Sequence, residues 1–143
     1  MIKSIEQSRI LFLDSGPLVR LLQMHPDYYP VVSAVLDQSY ENNVTILVSN
    51  VTLFELSRKA YAAGEGILAR QYREFFEHSR NVKACDVTGE IAVKAAEFAA
   101  KNLSTEESLR LATAFVNGAD CILTDCAAMR DLTDVPVVLL DEV

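Results

Sequence analysis

Short apolar runs alternate with longer stretches in which apolar residues recur every three or four positions. The runs Arg9 to Asp14, Val44 to Val48, Val82 to Val87, Asp120 to Thr124 and Val135 to Leu140 predict five strands. Between them lie helical patterns. Pro17 suits a helix's first turn, and Leu18, Leu21 and Leu22 follow it at helical spacing. A second helix, from about Tyr28 to Asn42, puts Val31, Val32, Val35, Leu36 and Tyr40 on one face. Ser49 or Asn50 caps a third, with Leu53, Leu56 and Ala60 inward. Ile67 to His78 is a fourth, carrying Arg70 and Arg73. Thr88 caps an alanine-rich helix reaching about Lys101, and Ser104 opens another from Thr105 to Asn117, which Gly118 stops. Ala127 to Leu132 is a short last helix.

This alternation predicts an α/β fold: a three-layer α/β/α sandwich around a mainly parallel central sheet of about five strands. No linker or repeat interrupts it, so residues 1–143 are expected to form a single domain. The third strand is short, and Pro136 lies in the fifth, which places both at or near an edge.

Ligands in such folds bind beyond the carboxyl ends of the strands. Four acids fall there. Asp14 ends Ile10-Leu11-Phe12-Leu13, and Asp125 ends Cys121-Ile122-Leu123-Thr124. Glu55 and Glu107 lie in the first turns of helices. Carboxylates gathered at ~4 Å repel by about 4 kcal/mol per pair at an effective dielectric near 20. A divalent cation relieves that repulsion, and oxygen-only ligands suit Mg²⁺ or Mn²⁺. On this reasoning Asp14→Asn or Glu107→Gln should stabilise the metal-free protein. Ser15, beside Asp14, offers a hydroxyl that can orient a ligand water.

Each acid also has a structural role open to it. Asp14 can cap the helix that follows. Glu55 can pair with Arg58 or Lys59 on a solvated face, although its neighbours Leu53, Phe54 and Leu56 are apolar. Ser104-Thr105-Glu106-Glu107 fits a capping box, with Glu107 reaching back to Ser104. Asp125 follows a strand, where a turn residue is ordinary. Arg20, Arg58 and Arg110 project from helices near the same edge as candidate phosphate ligands or surface charges.

Composition narrows the class. The 143 residues are 50% hydrophobic, enough for a sizeable core, and no apolar stretch approaches the ~20 residues of a membrane helix. The start, Met1-Ile2-Lys3-Ser4-Ile5-Glu6, has no secretory apolar region, and Cys85, Cys121 and Cys126 lack Cys-x-x-Cys spacing. Reduced thiols and a cytoplasmic location are expected. Two histidines exclude a histidine-rich metal site, and a net charge of −7 argues against a nucleic-acid coat protein.

The chain resembles the PIN-domain family, and most of all its small VapC-type members. The resemblance begins at Leu13-Asp14-Ser15-Gly16-Pro17-Leu18-Val19 and continues through Val48-Ser49-Asn50-Val51-Thr52-Leu53-Phe54-Glu55-Leu56. Glu107-Ser108-Leu109-Arg110-Leu111-Ala112-Thr113-Ala114 is similar to the family's Asp-Ala-Leu-x-x-Ala-Thr-Ala helix start. Gly118-Ala119-Asp120-Cys121-Ile122-Leu123-Thr124-Asp125 is similar to its Gly-Ala-Asp strand. Two departures stand out. Glu107 replaces the usual Asp, and the common Thr-x-Asp reads Thr124-Asp125-Cys126, with Cys126 in the acid's usual place. Asp125 then either reaches the metal from a backbone that has left the strand, or points away and leaves three carboxylates.

The resemblance implies a metal-dependent endoribonuclease. Asp14, Glu55, Glu107 and Asp125 would hold Mg²⁺ or Mn²⁺, and a metal-activated water would attack the RNA phosphodiester. Arg20 or Arg58 would position the phosphate. It also implies a toxin-like protein with an antitoxin partner and a homodimer, while the lack of a long apolar stretch leads to an expectation of no membrane partner. An acidic pocket is a natural receptor for a partner's arginine. The alternative is a catalytically weak or inactive PIN module that binds RNA or a protein. Haloacid-dehalogenase and receiver chemistry are set aside, since the chain lacks Asp-x-Asp after strand 1 and the receiver's later lysine.

Overall fold

The computed structural model describes residues 2–143. Five strands, β1 (Ile10–Leu13), β2 (Thr45–Ser49), β3 (Val82–Cys85), β4 (Cys121–Thr124) and β5 (Val137–Leu139), form one sheet in the order β3-β2-β1-β4-β5. All four pairings are parallel. The third and fifth strands lie at the two edges, as expected, although β3 is no shorter than the central β1 and β4.

Strand alternation sends successive side chains to opposite faces, and both faces are covered. Leu11, Leu13, Ile46, Val48, Cys121 and Leu123 pack under one layer of helices. That layer is α2 (Ser15–Leu22), α3 (Tyr29–Glu41), α4 (Asn50–Ala62) and α5 (Gly66–His78), which contribute Leu18, Val32, Leu56 and Phe76 among others. Phe12, Leu47 and Ile122 face the second layer, α6 (Gly89–Ala99) and α7 (Thr105–Val116), through Ile91, Phe98 and Leu111. The expected three-layer α/β/α sandwich is therefore present.

Capping follows the sequence. The hydroxyls of Ser49, Thr88 and Ser104 accept from the amides of Val51, Ile91 and Glu107. Gly118 turns the chain out of α7 at φ 75°, a left-handed conformation that costs glycine little. Two short elements were not anticipated: α1 (Lys3–Glu6) and a 3-10 turn at Leu140–Glu142. The short helix at Ala127–Leu132 is also 3-10 rather than α.

The chain enters at β1, builds outward through β2 and β3, then returns to the other side of β1 for β4. The gap between the carboxyl ends of β1 and β4 is thus the topological switch point, where ligands of such sheets bind. Asp14 and Thr124-Asp125 stand on its two sides. No helix among the described residues is long and apolar enough to cross a membrane.

Candidate active site

Asp14 occupies the position before α2, yet its side chain makes no cap bond. Its carboxylate turns into the switch-point gap instead and is fully buried. Oδ1 accepts from Nε of Arg110 at 2.7 Å, and Oδ2 accepts from the Thr124 hydroxyl at 2.6 Å. Burying an ion without partners is costly, so these two bonds are what make an ionised Asp14 tolerable here.

Glu55, in the second turn of α4, points at the same guanidinium. Its Oε1 accepts from Nη1 of Arg110 at 2.8 Å. It does not form the surface pair with Arg58 or Lys59; Arg58 is exposed and lies over the Phe54 ring at 5.7 Å. Arg110 is itself only 9% exposed at its side chain, against 20% for Glu55. Burial alone would lower its pKa, but Asp14 and Glu55 outweigh that and raise it. One fixed positive charge thus sits between two negative ones.

Glu107 lies one turn before Arg110 on α7. Its Oε1 accepts from the Ser104 hydroxyl at 2.6 Å, and its Oε2 from the Cys126 thiol at 2.7 Å. These two donors, Cys126 first, hold its pKa below the ordinary glutamate range. Ser104 also accepts from the Glu107 amide at 3.2 Å, so this residue both starts the helix and faces the site. Burial, reinforced by Glu107, pushes the Cys126 thiol up to about 11, so it serves as a neutral donor.

Asp125 takes a different direction. Its Oδ2 accepts from Nη1 of Arg20 at 2.9 Å, its side chain is 45% exposed, and none of its hydrogen bonds reaches the other three acids. Arg20 in turn stacks on the Tyr28 ring at 5.0 Å. The Asp125 carboxylate lies directly over Gly16, where an added Cβ would fall 2.2–2.4 Å from it. Ser15 shares a 2.8 Å hydroxyl–hydroxyl bond with the buried Thr52.

Sequence reasoning placed Arg110 only among surface or phosphate-binding arginines, and it gave Thr124 and Thr52 no role in the site. A signal for Arg110 existed. It is the only charged residue between Ser108 and Asn117, in a helix otherwise made for burial. That is the same argument that singled out Glu55.

The donor types here suit a hard divalent ion, but the arrangement does not present them to one. Among the described residues no group of three or more His, Cys, Asp or Glu side chains is placed to hold a metal. Arg110 supplies the positive charge instead. As the side chains stand, the pocket is built around a guanidinium.

Comparison with known proteins agrees with the fold. The family model for the PIN domain matches residues 11–131, and the chain belongs to that family, whose members are nucleases. Among solved structures, VapBC-1 from nontypeable Haemophilus influenzae superposes with a TM-score of 0.72 at 16% identity, covering 92% of this chain and 98% of that one. VapBC2 from Rickettsia felis, bound to a DNA fragment from its promoter, gives 0.68 at 19% identity, covering 91% and 98%. The sarcin-ricin-loop-cleaving toxin VapC20 of Mycobacterium tuberculosis gives 0.64 at 14% identity, covering 78% and 86%. A search of curated proteins found no match.

Proposed function

We propose that this chain is a VapC-type endoribonuclease whose acidic set is Asp14, Glu55 and Glu107, and whose activity requires Mg²⁺ or Mn²⁺. The observation that carries the reading is the convergence of Asp14 and Glu55, from β1 and α4, on one buried cation at the switch point. Glu107 lies one turn away on the helix that supplies that cation. A solvated face or a simple cap has no use for such a pocket. Family membership supplies nuclease chemistry, and a toxin among the structural neighbours cleaves the sarcin-ricin loop.

In this reading Ser15, held by its bond to the buried Thr52, orients a ligand water beside Asp14. Arg20, only partly buried, is the side chain at this edge best placed to meet a phosphate, once it leaves Asp125. Asp125 is an auxiliary acid at the margin. An antitoxin partner follows from the neighbours, several of which are toxin–antitoxin complexes, and a homodimer is part of the same proposal.

A second reading has one specific observation in its favour. Arg110 already neutralises the acids a metal would take, which suits a PIN module that binds RNA or protein without cleaving. Incubating purified protein with single-stranded RNA separates the two. Cleavage that depends on Mn²⁺ or Mg²⁺ and disappears in Asp14→Asn supports the nuclease. An intact substrate across several RNAs, with both ions, supports the binding module.

A further inference from the structure

We propose that the Arg110 guanidinium holds the cation position between Asp14 and Glu55, so that Arg110 and a divalent ion compete for these two carboxylates. The inference rests on the metal-dependent reading above and deepens it.

The geometry argues for displacement rather than coexistence. Nε and Nη1 each engage a different carboxylate, at 2.7 and 2.8 Å, so the planar fork spans the gap between them. The second Asp14 oxygen is already taken by Thr124. Mg²⁺ needs oxygens at about 2.0–2.1 Å, so an ion bridging the two carboxylates would share Asp14 oxygens that already accept from Arg110 and Thr124, and would sit beside a like charge. With Asp14 fully buried and Arg110 nearly so, little solvent is available to screen that repulsion.

Arg110 is anchored in the second turn of α7, so moving the guanidinium out asks for a change in its side-chain torsions and none in the helix. The apparent affinity for the ion is then lowered by the fraction of time the guanidinium stays in.

Calorimetry of Mn²⁺ binding to wild type and Arg110→Met tests this. The variant should bind at least 10-fold more tightly, and Asp14→Asn/Arg110→Met should lose the gain. Because Arg110→Met leaves Asp14 without its partner, a second measurement uses the intact protein. The Arg110 Nε–Hε cross-peak, identified by its absence in Arg110→Lys, is followed through a Mg²⁺ titration and should shift or broaden as the ion saturates. Equal Mn²⁺ affinity in wild type and Arg110→Met overturns the inference alone, as does Mg²⁺ binding with that cross-peak unmoved. If neither protein binds Mn²⁺, the metal-dependent reading falls and takes the inference with it.

Discussion

Removing Arg110 should destabilise the metal-free protein, and removing Asp14 as well should restore much of the loss. In Arg110→Met two ion pairs disappear, at 2.7 and 2.8 Å, and a fully buried carboxylate keeps only the Thr124 hydroxyl. Breaking a buried pair by removing one partner costs about 3–5 kcal/mol. For a chain of 143 residues, an unfolding entropy of about 2.1 cal/mol/K per residue turns this into a fall in Tm of about 10–17 °C. Adding Asp14→Asn removes the stranded charge and its repulsion from Glu55, and should recover about 2–3 kcal/mol. If the acids simply repelled one another in the absence of metal, Asp14→Asn would stabilise outright. The structure restricts that gain to the Arg110→Met background, since in wild type the substitution also deletes an attraction. The assay is thermal unfolding in EDTA for the four proteins of the cycle. A Tm for Arg110→Met at or above wild type would refute the reasoning, as would an equal gain from Asp14→Asn in both backgrounds.

Three further outcomes follow from the site. Gly16→Ala should fold but drive the Asp125 carboxylate from its place beside Arg20, because the new Cβ falls 2.2–2.4 Å from it; a crystal structure with the Arg20–Asp125 pair intact would contradict this. Burial above all pushes the Cys121 and Cys126 thiols up to about 11, above their unfolded values. Their contribution to stability is therefore complete below about pH 8.5 and lost as pH rises through 11, so urea midpoints should drop over that window, and less so in Cys121→Ala/Cys126→Ala. Glu107 is shifted the opposite way, chiefly by Cys126 and then Ser104. Its contribution is present at neutral pH and lost on acidification, and Cys126→Ala should move its titration, followed by carbon NMR, up toward an ordinary glutamate.

The elements were legible because short continuous apolar runs contrast with stretches of period near 3.6, and the caps are ordinary residues in ordinary places. Ser49, Thr88 and Ser104 are examples, each with an amide to satisfy. The short terminal elements were not legible, since four residues such as Lys3–Glu6 are too few to show a period. Arg110 was obscured for a different reason. Its two partners lie 96 and 55 residues away along the chain, so the uncharged stretch around it marks burial but nothing local names the carboxylates it meets.

The one-residue shift after β4 can be explained from strand alternation. Thr124 turns inward to Asp14, so Asp125 must turn the other way, over Gly16 to Arg20. Cys126 comes back to the side of Glu107, the place the resemblance assigns to an acid. A thiol there, kept neutral by burial, donates to Glu107 where a carboxylate would repel it. Two consequences follow together. Glu107 is held by neutral donors, Ser104 and Cys126, and Asp125 is paired outside the pocket. Only Asp14 and Glu55 then remain to be balanced at the centre, a charge that one guanidinium can largely hold. The shift in the motif and the arginine in the pocket are thus two parts of one electrostatic arrangement. Returning an acid to the pocket with Cys126→Asp should therefore make Arg110 alone insufficient, and should strengthen Mn²⁺ binding. An unchanged Mn²⁺ isotherm would separate the two features and undo this account of their pairing.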